Sequence, residues 1–327
     1  MGAMQAQDYR NALWAVGLRT AGATEAIVEQ ALAAGEIVRT WPMRGTLHFV
    51  AAADVHWMLE LLTPRVVAAA AKRAEVHGLD PATLSRCREL CAELLCGGRR
   101  LTRGALFAEL NARGIATEAQ RGYHILWRLA QERLICFGPH ERKQPTLVLL
   151  DDWVPATKRW QPGDPLAEVA RRYFTSHGPA TLQDFVWWCG LKVADAKAAI
   201  AAAELTQETI DGVPHWASPQ AQAPGEIADA HLLPAFDEYL LGYRDRSAAL
   251  DALHAGKVVP GNNGVFQPTV VVDGRIVGTW KRVIKSRAVV VTVDPFAPLP
   301  KSAQRAIEKA ADAYGRFMGT SVDVTLV

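Results

Sequence analysis

The sequence predicts an α+β fold: tandem winged helix-turn-helix domains followed by a small β-barrel with a C-terminal helix. Two observations predict it. The same order, helices and then two β-rich runs around a turn, occurs three times before residue 220. Similar order at similar spacing within one chain marks an array of related units. Beyond residue 229 the order changes, and β-rich runs joined by Asp273-Gly274 precede one long helix.

The elements follow in turn. Asp8 stands before an apolar-periodic run (Tyr9, Leu13, Trp14, Val16, Leu18) as a candidate N-cap, since its carboxylate accepts from free first-turn amides. Thr24 to Ala34 carries Ile27, Val28, Ala31 and Leu32 at helical spacing, with Gly35 as the stop. Ile37 to Trp41 and Thr46 to Val50 flank Pro42-Met43-Arg44-Gly45, which reads as a hairpin. Helix followed by hairpin is the tail of a winged helix. One long helical stretch then runs from Ala53 to about Gly78.

The second unit repeats the order more completely. Pro81 to Cys96, Thr102 to Arg113 and Thr117 to Arg133 read as helices, with Thr102 as a cap. Leu134 to Phe137 and Thr146 to Leu150 bracket a polar loop, residues 138–145. Three helices and a basic-tipped hairpin make a winged helix-turn-helix. After a Pro-rich linker from Val154 to Pro165, helices at Leu166 to His177, Thr181 to Cys189 and Val193 to Ala203 precede strands joined by Asp211-Gly212, a type I′ hairpin signal. A second linker, Gln220 to Asp229, leads to strands at Val265 to Val272, Arg275 to Val283 and Val289 to Val293, and a helix from Ser302 to Met318. The expected domains are residues 1–79, 80–153, 164–219 and 229–327.

Composition narrows the class. Across 327 residues, 50% hydrophobic and 21% charged content is that of a folded globular chain, not of a disordered one. The net charge of +2 excludes a broadly polycationic surface but leaves room for local basic faces. No run approaches the ~18 apolar residues of a membrane span, and no signal-peptide pattern opens the chain, so a cytoplasmic protein is expected. Cys87, Cys91, Cys96, Cys136 and Cys189 include no C-x-x-C pair and read as reduced, mostly buried thiols. There is no metal motif, phosphate loop, dinucleotide fingerprint or nucleophile elbow, so no cofactor is expected.

The candidate chemistry starts at Gln5-Ala6-Gln7. Side chains at i and i+2 share a face only in extended backbone and diverge by about 200° on a helix, so a cooperating pair requires an extended segment just ahead of the first helix. Alone, two such glutamines read as solvated side chains. Asp237-Glu238 suggests paired acids, but neighbours on a strand face opposite ways and do not flank one bond; a solvated or salt-bridged pair, with Arg244 or Arg246 as partner, is the simpler reading. Trp127, Trp187 and Trp188 read as core. His48, alternating with Leu47 and Phe49 beside Arg44, is a candidate phosphate or base-edge contact against a structural histidine. Basic residues cluster at Arg99, Arg100 and Arg103; at Arg121, His140, Arg142 and Lys143; and at Lys281, Arg282, Lys285 and Arg287. On helix-turn-helix elements and a projecting hairpin, such clusters suit backbone phosphates.

The strings QAQDY, RTWPMRGTLHFV, RGYHILWR, ICFGP, KQPTLVLLDDW, GPATLQDFVWW, PAFDEYLLGYRDRS and GNNGVFQPTVVVDGRIVGTW together resemble the bacterial winged-helix DNA glycosylases of the AlkZ and YcaQ type, over nearly the whole chain. The resemblance implies three winged helices and a β-barrel around a concave channel for double-stranded DNA, and monofunctional excision of alkylated purines, crosslinks included, by a nucleoid-associated monomer. The family's catalytic motif, Gln, an apolar residue, then Gln or Asp, maps onto Gln5-Ala6-Gln7 and makes these two the catalytic candidates. Arg44, His48, Arg121, Arg142, Lys143, Lys281 and Arg282 are the DNA-binding candidates. Relatives carry roughly one more helix ahead of the motif, which leaves either a late-assigned start or an incomplete first winged helix. The reading from another class is a non-enzymatic DNA-binding protein or transcriptional regulator that kept the wings without the chemistry.

Overall fold

The computed structural model describes residues 1–221, 229–285 and 288–327. Residues 222–228 and 286–287 lie outside them, and with them most of the second expected linker and Arg287. The protein has mixed α/β structure, with helices and hairpins in the expected order.

Local chemistry sets the helix ends. Asp8 starts the helix Tyr9–Gly17 by accepting the Asn11 N–H at 3.0 Å. Asp80 does the same for Pro81–Leu95 through Thr83 at 2.7 Å, and Thr102 for Arg103–Ala112 through Ala105 at 3.3 Å. Each satisfies an amide that the first turn leaves open. The helix expected from Thr117 begins at Arg121 instead. Thr117 is engaged with Asn111, donating its N–H to Oδ1 at 3.0 Å and accepting from Nδ2 at 2.9 Å. The stretch from Ala53 to Gly78 is two helices, Val55–Ala69 and Ala71–Val76. Ala70, at φ −88° and ψ 1°, leaves helical geometry between them.

The chain packs into two compact units. The first comprises Met1–Ala3, Gln30–Tyr173 and Cys189–Leu205. Within it, the hairpin Ile37–Met43 and Thr46–Ala51 turns on Arg44 and Gly45, both left-handed at φ 53° and 73°, as a two-residue type I′ loop requires. The second hairpin, Ile135–Glu141 with Gln144–Leu149, reaches further than the sequence suggests, because most of residues 138–145 is strand. A register shift between Phe137 and His140 takes up Pro139, whose carbonyl accepts the Thr146 hydroxyl at 2.7 Å. Only Arg142 and Lys143 remain as the tip. Arg39 pairs with Phe137 and joins the two hairpins into one sheet, with its guanidinium 5.2 Å from the ring centroid. Ile125 and Leu129, one turn apart on Arg121–Gln131, close the core against Trp41, Leu47 and Leu147 from that sheet.

The second unit comprises Met4–Glu29, Phe174–Trp188 and Thr206–Val327. Thr206–Ile210 and Val213–Ala217 form a hairpin on Asp211-Gly212, and Thr269–Val272 meets Arg275–Ile284 on Asp273-Gly274. All four turn residues have positive φ, as expected of type I′ turns. The main sheet runs 321–326, 288–295, 275–284, 269–272, 230–233. It is a half-barrel, not the small barrel expected: among the described residues its edge strands, Ser321–Leu326 and Ala230–Leu233, are not paired with each other. Ser321–Leu326, absent from the sequence reading, adds in parallel to Ala288–Pro295 after the helix Lys301–Met318. That helix buries Ala303, Ala306, Ile307, Ala310, Tyr314 and Phe317 along one stripe. Trp14 packs against it, 5.0 Å from the Tyr314 ring centroid, and donates its indole N–H to the Leu232 carbonyl at 2.7 Å.

No helix among the described residues is long and apolar enough to cross a membrane. The cysteines are free thiols. Burial pushes the Cys91 and Cys189 thiols up to about 12.

Candidate active site

The second unit places Gln5 and Gln7 on extended and bent backbone directly ahead of the Asp8-capped helix. Ala6 is fully buried, Gln5 half-buried and Gln7 exposed. Gln5 is anchored through its main chain: its N–H donates to Oε1 of Glu238 at 3.1 Å.

Glu238 sits at the start of the short helix Glu238–Leu241, which Asp237 caps through the Tyr239 N–H at 2.9 Å. The two acids therefore lie on a helix start, not on a strand, and both are buried. Asp237 is held by Arg19 in a two-pronged ion pair at 2.6 and 2.9 Å. Burial, the largest single influence, works against the Arg19 cation, yet its pKa is raised because Asp237, with Glu238 and Tyr243 behind it, outweighs that penalty. The same cation, second to burial, lowers the pKa of His231. Of the two partners expected from sequence, Arg244 donates to Gln183 Oε1 at 3.1 Å instead, and Arg246 donates to the Leu240 carbonyl at 2.8 Å and covers the Trp187 and Phe266 rings.

Glu238 accepts a second hydrogen bond at Oε2 from the Trp188 indole at 3.0 Å, with His177 Nε2 3.6 Å from the same oxygen. Trp188 is buried, as a core residue should be; Trp187 is exposed and donates to the Leu241 carbonyl at 3.2 Å. His177 is held from its other side by the Ser176 hydroxyl at Nδ1, 2.9 Å away, and the Tyr243 hydroxyl donates to the His177 carbonyl at 2.9 Å. Burial, followed by Asp184, raises the Tyr243 phenol's pKa, so it stays a neutral donor. Arg19, His177 and Trp188 were missed as site residues because their partners lie 50 or more positions away. The signal available was the pair of acids inside the apolar run PAFDEYLLGY.

The DNA-binding candidates have mixed settings. Arg44 and His48 are brought together in the first unit, Nη2 to Nε2 at 3.3 Å. The Thr46 carbonyl lies 2.9 Å from His48 Nδ1, which assigns the ring proton to Nδ1 and leaves Nε2 to accept from Arg44. His48 is fully buried and Arg44 half-buried, so an outside group meets the arginine before the imidazole. Arg121 is bound to carbonyls, through Nε to Ala116 at 2.9 Å and through Nη1 to Gly78 at 3.0 Å and to His77. Arg142 and Lys143 are exposed at the hairpin tip. Lys281 is exposed, and Arg282 donates to the Tyr314 hydroxyl at 2.7 Å while lying over its ring. No group of three or more His, Cys, Asp or Glu among the described residues is placed to hold a metal ion.

Three comparisons bear on this geometry. Residues 1–317 match the family described as DNA glycosylase AlkZ-like. An interstrand DNA cross-link repair glycosylase from Streptomyces sahachiroi is 29% identical, covering 97% of this chain and 89% of its own. The solved structure of the Streptomyces sahachiroi DNA glycosylase AlkZ is similar with a TM-score of 0.80 at 25% identity, over 99% of this chain and 91% of that one.

Proposed function

Because the chain belongs to the AlkZ-like DNA glycosylase family and is a DNA glycosylase, we propose that it hydrolyses the N-glycosidic bond of cationic N7-alkylated purines in double-stranded DNA, with Gln5 and Gln7 orienting the attacking water. The observation that carries this reading is the anchored segment ahead of the first helix: buried Ala6 between two glutamines, fixed to Glu238 at one end and to the Asp8-capped helix at the other.

The chemistry fits two amides. A carboxamide donates and accepts hydrogen bonds but does not titrate near neutral pH, so it does not supply the ~10²–10⁴-fold of a general acid or base. An N7-alkylated purine already carries positive charge and leaves without prior protonation. What remains is to place water against the cationic sugar, a task of position and orientation.

In the same reading the helix-and-hairpin groups act as tandem winged helices, divided as residues 1–79, 80–153 and 164–219 ahead of the half-barrel segment 229–327. Arg44, Arg142, Lys143, Lys281 and Arg282 contact phosphates, His48 orients Arg44, and Arg121 supports its helix beside the duplex. Extruding a base from the stack costs a few kcal/mol and is obstructed in a crosslink, so a monomer that grips the duplex without full extrusion also suits the crosslink repair for which the Streptomyces relative is named.

The test is a duplex carrying a single N7-methylguanine, scored for abasic sites. The full chain should release the base, and a Gln5→Ala, Gln7→Ala double variant should bind the duplex and release little. Equal release by both, or none by the full chain, would refute the proposal.

A further inference from the structure

We infer that Glu238 is the positioning residue of this site, a buried carboxylate that sets where Gln5 stands; the inference rests on the proposed role of Gln5. The side chain is 2% exposed. Ionised carboxylates are retained at such burial when donors surround them, and the donors here come from distant parts of the chain: the main-chain N–H of Gln5 at Oε1, and the indole N–H of Trp188 at Oε2. Both are donors only. A carboxylate accepts at both oxygens, whereas a carboxamide accepts at one and turns an NH₂ group toward the other N–H. Glutamate therefore fits these two partners together, and glutamine does not.

The surroundings keep that carboxylate in register. Its main chain opens a helix capped by Asp237, and Asp237 is locked by Arg19, so the backbone of Glu238 is fixed through its neighbour. His177 closes the other side. A side chain at Gly242 would overlap the His177 ring, with a Cβ 2.6 Å from Nε2, so Gly242 is what lets the ring come within 3.6 Å of the carboxylate. These contacts converge on one hydrogen bond to the main chain of a catalytic candidate. Displacement of a reacting group by about 1 Å costs on the order of 10²-fold in rate, so Glu238 acts on catalysis through Gln5 without touching substrate.

The experiment compares the full-length protein with Glu238→Gln, measuring single-turnover release from N7-methylguanine duplex, duplex affinity, and amide hydrogen exchange at Gln5 in the free protein. We expect Glu238→Gln to slow release roughly 10- to 100-fold, to leave affinity within about threefold, and to speed Gln5 exchange at least about tenfold. Trp188→Phe, which removes one donor and keeps the charge, should lower the rate by less and carries the test should Glu238→Gln fail to fold. Unchanged Gln5 exchange in the variants overturns the inference, whether or not rate is lost. An inactive wild-type protein would overturn the proposed substrate, while the exchange comparison, which needs no substrate, still decides the anchoring.

Discussion

Asp8 and Asp237 cap helices in the same way and differ in everything else. Asp8 is exposed and accepts from one amide, that of Asn11 three positions on, so Asp8→Ala should cost about 1 kcal/mol of unfolding free energy, read from a denaturant midpoint. Asp237 is buried and binds Arg19, 218 positions away; Asp237→Asn should cost about 2 kcal/mol or more, since it leaves a guanidinium short of its charged partner. The first role is legible in sequence and the second is not, because a cap is local whereas an ion pair between distant residues exists only once the fold has formed. His124 shows the same dependence. Its pKa is lowered by burial first, and then by His77, whose ring centroid lies 4.3 Å away. A histidine depressed in the folded state binds fewer protons than in the unfolded chain, so its contribution to stability is complete above the ordinary value of ~6.5 and is lost as pH falls below it. Thermal midpoints at pH 7.5 and 5.5 should show that acid loss, and His124→Gln should reduce it.

Among the elements, Asp211-Gly212 and Asp273-Gly274 are turns in both sequence and structure, because an Asp-Gly pair between two strand-forming runs has few other uses. Helix ends were legible where a cap was free to act, at Asp8 and Thr102, and misread at Thr117, which Asn111 engages first. The strand Ser321–Leu326 escaped because it is an edge strand with every other residue exposed, and its place depends on a parallel partner some thirty residues earlier. The half-barrel leans on close approach between elements. At Gly17, the end of the opening helix, a Cβ would stand 2.5 Å from the Phe317 ring. Gly17→Ala should therefore destabilise the protein by about 1–3 kcal/mol through overpacking, measured by chemical denaturation, although alanine is the better helix former.

For the molecule as a whole, a net charge of +2 hides a division of labour among the basic residues. Arg121 is tied to internal carbonyls and Arg282 gives one of its donors to Tyr314, while Arg142 and Lys143 stand exposed on a two-residue tip. An Arg142→Ala, Lys143→Ala variant should weaken binding to all duplexes alike and lower the salt-dependence slope by about 2, seen by titration at several salt concentrations; a sequence-selective loss would point to base contacts instead. The proposed catalytic pair, Gln5 and Gln7, stands out in the sequence only through the strings around it that resemble a family. Its anchor at Glu238 does not stand out, since the link from residue 5 to residue 238 spans nearly the whole chain. In the proposed mechanism two non-titrating amides suffice because the departing base is already charged. Single-turnover release from matched duplexes, one with N7-methylguanine and one with uncharged uracil at the same position, tests it most directly. The cationic base should be released faster by roughly 10²-fold or more, the contribution a general acid would otherwise make; comparable rates on the two duplexes would rule that mechanism out.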